Sequence, residues 1–376
     1  MNNNTATTPP NGYKNTAIGI IPDNWEVKRL GETGKVVTGN TPSRTDLSLW
    51  NGDFCWATAK DFKEKYINDT VEKITEKGCN GARLLPKGAI LITCIASIGN
   101  NAIAAVPMAT NQQINSIIVS DDFNNEWLYY QLDFYKQNLE LLASKTAVPL
   151  INKSEFEKLK LPIPPLPEQQ KIAEILSTWD EAITNCKKTI NTLKERNKGL
   201  AQQLLTGKKR LSGFSDKWVE LKADKIFRNN TDKTHNGELE ILSATQERGV
   251  IPRSMNNIDI KYDPSSLGTY KKVEIGDYVI SLRSFQGGIE YSEYEGIVSP
   301  AYTILKEIIP ISKTFFKVYF KTETFISRLN TIIYGIRDGK QISFKDFATL
   351  KLPCPSIEEQ NSIAQVLETA NQELKS

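Results

Sequence analysis

Side chains able to do covalent chemistry are sparse in this sequence and poorly placed for it. The single histidine, His235, lies in the polar stretch NNTDKTHNGE with no obvious partner, and reads as a surface residue. Five cysteines, at 55, 79, 94, 186 and 354, include no CxxC pair, so neither a zinc site nor a disulfide framework is indicated. No GxxxxGK[ST] or GxGxxG loop is present to cradle nucleotide phosphates. The Asn/Asp-Pro-Pro-Tyr stretch with which amino-methyltransferases hold an extruded base is missing as well. A superficial nuclease pattern, Pro22-Asp23 followed by Glu26-Val27-Lys28, leaves too little chain to set its carboxylates on adjacent strands. Asp121-Asp122 reads as a solvated turn.

What the chain does offer is a series of loops rich in polar side chains. GNTPSRTD (39–46), ATAKDF (57–62), ASIGNN (96–101) and TNQQIN (110–115) lie in the first half. SATQERG (243–249), SLRSFQGG (281–288), VSPAY (298–302) and YGIRDGKQ (334–341) lie in the second. Asn and Gln pair bidentately with adenine, and Arg with guanine, in the major groove of DNA. Lys and backbone amides hold phosphates. The candidates for such contacts are Arg44, Lys60, Asn100, Gln112 and Gln113, then Gln246, Arg248, Arg283, Gln286, Arg337 and Lys340. Each taken singly reads equally well as a solvated turn residue.

These loops need elements to carry them, and one stretch organises the rest. The Pro-rich segment at Pro162, Pro164, Pro165 and Pro167 stops what precedes it. Residues 168 to 205 then run without proline, and their apolar positions alternate steps of four and three. Ile172, Leu176, Trp179, Ile183, Cys186, Ile190, Leu193, Asn197, Leu200 and Leu204 form this seam, the heptad of a coiled coil on a helix roughly 57 Å long. Asn197 at a seam position either fixes the helix register or marks fraying. Gly207 ends the helix, with Lys208, Lys209 and Arg210 at its negative end.

The partner helix is written in the same chain. LKLPCPSIEEQNSIAQVLET (350–369) aligns without gaps to LKLPIPPLPEQQKIAEILST (159–178) at an offset of 191, with eleven of twenty positions identical. Its seam is Ile363, Leu367, Ala370 and Leu374. Upstream, Asp23-x-Trp25 is matched by Asp216-x-Trp218, so whole domains are duplicated and not the helices alone. Within each copy a Gly-marked turn leads to a short apolar strand, AILI or DYVISL, and a helix closes the domain at 125–143 and at 313–330. Each domain is therefore α+β.

At 376 residues the chain has room for two such domains. A net charge of +3 argues for no partner by itself. No apolar run approaches a membrane span and the polar start MNNNTATTPPNG has no signal-peptide core, so a cytoplasmic protein is expected.

PIPPLPEQQKIAEIL, the long helix after it and QQLLTGKKRL resemble the specificity subunit of type I restriction–modification systems. So do GYKNTAIGIIPDNWEVKRLGE, ISLRSFQGGIEYSEYEGIVSPAYTIL and YGIRDGKQISF. The resemblance covers nearly the whole chain. It implies a disordered tail (1–15), a first target-recognition domain (16–160), a hinge and long helix (161–207), a second recognition domain (208–352), and a C-terminal hinge and short helix (353–376). Each domain would be a curved β-sheet with helices, and the two helices would pack as an antiparallel coiled coil. Each domain would read half of a bipartite site in double-stranded DNA. DNA methyltransferase subunits and a motor–nuclease restriction subunit would supply adenine-N6 methylation and cleavage, and would bind the S-adenosylmethionine, ATP and Mg; this chain would need no cofactor.

One departure stands out: the second helix stops at Ser376, which aligns with Asn185, where the family carries a longer helix. The expectation is that Ile190, Leu193, Leu200 and Leu204 lack a partner within the chain and favour self-association. Two alternatives remain at this level, a two-headed protein-binding scaffold on a coiled coil and a stand-alone DNA-modifying enzyme.

Overall fold

The computed structural model describes residues 9–144, 148–256, 264–332 and 342–374. The chain divides into two compact units, Met1–Thr184 and Asn185–Ser376.

The first unit opens on a hairpin of Tyr13–Thr16 with Gly19–Pro22. Residues 13 to 15, expected in a disordered tail, are therefore strand; Lys14 Nζ also donates to the Asp23 carbonyl at 2.7 Å. Strand Glu26–Arg29 then pairs antiparallel with Lys160–Ile163, which brings the two ends of the unit together. Between them lies a five-stranded sheet in the order Gly34–Thr38, Ile114–Val119, Ile90–Thr93, Asn101–Ala104, Tyr66–Ile67. A three-stranded sheet joins Met108–Thr110, Trp50–Ala57 and Glu72–Ile74. Strand Ile90–Thr93 is buried on both faces, which explains its unbroken apolar run. Ile90 and Ile92 pack with Leu30, Trp127, Leu128 and Phe156, while Leu91 packs on the other side with Ala102, Ala104 and Met108.

The second unit repeats this plan. Val219–Lys222 pairs antiparallel with Lys351–Cys354, and a four-stranded sheet runs Phe227–Asn230, Thr303–Glu307, Tyr278–Ile280, Glu290–Tyr291. Its core is aromatic: Phe227 lies 5.5 Å from Tyr278 and 5.4 Å from Phe316, centroid to centroid, with Phe320 and Phe347 close by. Burial of that size makes Phe227→Ala cost about 3–5 kcal/mol.

The helix expected at 125–143 is two, Asn125–Phe134 and Lys136–Leu142, because the backbone leaves the helical region at Tyr135. The bend lets Leu132 and Leu139 enter one core. Likewise 313–330 divides into Lys313–Tyr319 and Glu323–Thr331, the second started by Thr322, whose hydroxyl accepts from Phe325 N.

The long helix spans Leu166–Leu205, 40 residues. Its first turns sit in the core of the first unit through Ile172 and Ala173. Farther along, Lys65 Nζ reaches Ser177 Oγ at 3.2 Å and Tyr130 Oη donates to Asp180 at 2.5 Å, tying the helix to its domain. Gly207, at φ +69, turns the chain after the last helical residue, and Lys209 N closes onto Gln203 O at 3.1 Å.

The C-terminal helix, Ile357–Gln372, packs antiparallel to the end of the long helix within the second unit. Asn197 Nδ2 donates to Ala370 O at 2.6 Å, and Arg196 pairs with Glu373 at 2.5 Å. Leu200 and Leu204 share a core with Ile363 and Leu367, so the expectation that these two leucines lack a partner is wrong. In an antiparallel pair the start of the second helix meets the end of the first, and the middle of the long helix is exposed. Trp179 is 65% exposed, Ile183 49% and Ile190 42%, and Leu176 and Cys186 are exposed too. Leu193 and Leu374 are half-buried. The heptad pattern thus forms a helix–helix seam within the second unit only over its last turns, and Asn197, 8% exposed, is a register contact there rather than a frayed end.

The repeated sequence motif is a joint. Gln169 and Gln360 are each buried at the start of their helices. Gln169 Nε2 donates to Pro164 O and its Oε1 accepts from Asn124 N, both at 2.9 Å. Gln360 makes the same bonds to Pro355 O and Ser312 N, again at 2.9 Å. Asn124 and Ser312 are the residues that start the earlier helices Asn125–Phe134 and Lys313–Tyr319. One amide side chain thereby satisfies an orphan carbonyl and an orphan N–H at once.

Candidate nucleic-acid interface

In the first unit, the predicted contact residues come from four loops that leave the same end of the strands. Those loops follow Thr38, Ala57, Thr93 and Thr110. Pairing fixes their adjacency: Asn40 N donates to Thr110 O at 2.9 Å, Asn111 N to Ala57 O at 3.1 Å, and Cys94 N to Gln113 O at 2.8 Å.

Arg44 lies over the ring of Trp50, 3.8 Å from its centroid, and 4.9 Å from that of Trp56. Its guanidinium also pairs with Glu72 at 2.6 Å. The two indoles meet edge to face and donate to Ser43 O and Asn40 O, which pins the loop that carries Arg44. The side chain remains half exposed, so the arginine is held in place without being sequestered. Gln112 is exposed and accepts from Thr41 Oγ1 at 2.5 Å. Gln113 Oε1 accepts from Asn111 Nδ2 at 3.2 Å. Asn100 Oδ1 is taken by Lys136 Nζ at 2.7 Å. Lys60 is exposed on the turn Ala59–Asp61, which Thr58 caps. Arg83 belongs to the same surface and was missed by the sequence reading: its N–H donates to Asn40 Oδ1 at 3.0 Å and Nη1 to Thr38 O at 2.6 Å. The only sequence signal for it is a basic residue just ahead of the turn before Ile90–Thr93.

The second unit separates its candidates further. Gln246 and Arg248 sit on the hairpin turn between Leu242–Thr245 and Gly249–Pro252, and both are exposed. Arg248 Nη2 donates to Met255 O at 2.9 Å. Arg283 and Gln286 are exposed around the short helix Ser284–Gly287. Gly287 lets Gln246 lie against it, since a Cβ there would meet Gln246 Cγ at 2.7 Å. A groove of about 380 Å³ lies beside Gln246 and Arg248, with Glu290, Tyr291, Lys317 and Lys321 in its wall. Burial raises the pKa of Glu290, offset in part by Lys321 2.6 Å away. Arg337 and Lys340 lie outside the described residues.

His235, expected to stand alone, shapes its own loop: Nε2 lies 3.0 Å from Tyr270 O and Nδ1 accepts from Gly237 N at 3.1 Å. Among the described residues no group of three His, Cys, Asp or Glu side chains is placed to hold a metal ion. No helix among them is long and apolar enough to cross a membrane.

The arrangement fits contact with a polar polymer: exposed amides and guanidiniums on rigid strand ends, twice over. Comparison with known proteins agrees. The specificity subunit of the MjaIX type I restriction enzyme of Methanocaldococcus jannaschii is 38% identical over 183 residues, 47% of this chain and 42% of that relative. The MjaVIII specificity subunit of the same organism is 25% identical over 383 residues, covering 93% of this chain and 86% of the relative. The fold resembles the S subunit of a type I restriction–modification system from M. genitalium, with a TM-score of 0.55 and 17% identity over 94% of this chain and 90% of that one. It also resembles the HsdS subunit of Thermoanaerobacter tengcongensis, at 0.52 and 16% over 94% and 91%. The model of the type I restriction modification DNA specificity domain matches twice, over residues 22–195 and 208–376, and the chain belongs to that family.

Proposed function

We propose that this chain is the DNA sequence-recognition subunit of a type I restriction–modification complex and is itself non-catalytic. Each unit reads one half of a bipartite site in double-stranded DNA, and partner methyltransferase and motor–nuclease subunits carry out adenine-N6 methylation and cleavage. S-adenosylmethionine, ATP and Mg belong to those partners in this reading, and the complex works in the cytoplasm. The observation that carries it is the gathering of Arg44, Lys60, Asn100, Gln112 and Gln113 onto the loops at one end of the first unit's strands, in a chain whose two copies both match the DNA specificity domain.

Co-expression with the cognate methyltransferase subunit, followed by mapping of N6-methyladenine in the host DNA, tests it. A bipartite methylated motif is the expected result. A stable complex that leaves DNA unmethylated would overturn the reading, and absence of a complex would favour a protein-binding scaffold.

The uncovered middle of the long helix supports self-association through Leu176, Trp179, Ile183 and Ile190. A monomeric sedimentation profile at tens of micromolar would count against that part.

A further inference from the structure

We infer that Lys35, Arg83 and Lys153 of the first unit form a site for a phosphate of the DNA backbone. The inference rests on the reading of the chain as a DNA-recognition subunit and says which surface meets the sugar–phosphate chain.

The three side chains line a groove of about 500 Å³ along the edge strand Gly34–Thr38, floored by Val37 and Ile118. No carboxylate lines it. Lys35 is exposed, and neither it nor Arg83 has an ion-pair partner among the described residues. Lys153 is shared with Glu157, 3.6 Å away and one helical turn along. By contrast, a groove nearer the start of the unit is walled by Glu26, Glu32 and Asp122. Cations grouped over an apolar floor focus positive potential, which is what a phosphate seeks.

Arg83 links the groove to the reading loops. Its guanidinium is held by the bond from Nη1 to Thr38 O, its backbone N–H bonds Asn40 Oδ1, and Thr41, next in the chain, bonds Gln112. A phosphate bound here would lie beside the side chains assigned to base edges.

The internal repeat supplies a second observation. Lys35 pairs with Ile118 across the sheet, and Arg228 pairs with Lys306 at the same place in the second unit. Along these edge strands, Gly34, Val36 and Val37 have become Phe227, Asn229 and Asn230, whereas Lys35 has become Arg228. Aligning Gly88 with Gly276 likewise sets Arg83 against Lys271. Positive charge is retained at these two positions while the residues around them change. In the second unit Lys306 is tied to Glu274, so the first unit offers the more open version.

The test uses the full chain in complex with its methyltransferase subunit and a duplex carrying the mapped methylation site. Affinity is measured from 50 to 200 mM salt for wild type, Lys35→Ala, Lys35→Glu, Arg83→Ala and Lys153→Ala. Each lost phosphate contact lowers the salt slope by about 0.9, so the drop in affinity over that range shrinks by roughly threefold. Lys35→Glu should bind more weakly than Lys35→Ala, and the methylated motif should stay the same in all. Lys35 is exposed on an edge strand, so its variants fold whatever Arg83→Ala does. Unchanged slopes with DNA binding intact would overturn the site, as would a changed motif, which would assign these residues to bases. Failure of the wild-type complex to bind DNA would instead remove the recognition reading, and this site with it.

Discussion

Trp25 Nε1 donates to Glu168 Oε1 at 3.1 Å, joining the residue just ahead of strand Glu26–Arg29 to the first turn of the long helix, across 143 residues of chain. The second unit repeats the bond with Trp218 and Glu359 at 2.9 Å, and adds Arg210, whose Nε and Nη2 reach the same carboxylate at 2.6 and 2.8 Å. Glu359 is 2% exposed and paired with Arg210, whereas Glu168 is not buried and takes the neutral donors Trp25 and Asn24. The same joint is thus a buried ion pair in one copy and a partly hydrated carboxylate with neutral donors in the other.

Arg210→Met should therefore destabilise the second unit by about 3 kcal/mol, because it strands a buried charge. Glu168→Gln in the first unit, where water reaches the carboxylate, should cost about 1 kcal/mol. Urea unfolding of the two variants, compared by midpoint and slope, checks the contrast.

Asn197→Ala removes the donor to Ala370 O and leaves a carbonyl unpaired at a helix–helix contact. The expected loss is about 1–3 kcal/mol, seen in the same unfolding experiment. Hydrogen exchange should quicken in Ile357–Gln372 more than in the sheet of that unit.

Burial pushes the Tyr319 hydroxyl up to about 12, against the pull of nearby Arg328. An unfolded tyrosine ionises near 10, so the folded state holds the proton longer. This contribution is fully present below pH 10 and is lost as the pH rises toward 12, roughly 2–3 kcal/mol in all. Melting temperatures from pH 8 to 11.5 should fall more steeply for wild type than for Tyr319→Phe, and tyrosinate absorbance gives the titration directly.

Arg44→Ala should weaken binding to the mapped DNA site by about 1–3 kcal/mol and relax one base position if the arginine reads guanine. An equal loss on every sequence would assign it to phosphate. Trp50→Phe, which keeps a ring beneath the guanidinium but frees Ser43 O, should have a smaller effect of the same kind.

The repeat and its helices were legible in the sequence because period and identity are local properties of the chain. Strand Ile90–Thr93 and the stop at Gly207 followed from pattern and from glycine conformation. The pairing of the helices was misjudged because sequence offsets align equivalent residues, whereas antiparallel packing sets opposite ends together. Leu204 and Ile363 illustrate this: they share a core although nothing in the repeat alignment associates them. Arg44 was readable as an exposed arginine, but not its seat on Trp50 and Trp56, which depends on a strand pairing from distant sequence. Arg83 and Lys35 escaped because basic residues on strands and turns look like ordinary solvated surface until a groove forms around them.

The exposure of Trp179 gives the molecule a built-in optical reporter. The other five tryptophans, Trp25, Trp50, Trp56, Trp127 and Trp218, are buried or half-buried, so Trp179 alone emits largely from water. Any surface that covers the middle of the long helix must dry this indole and move the emission to shorter wavelength. Engagement of that helix can thus be followed in unlabelled protein, separately from events at the recognition loops.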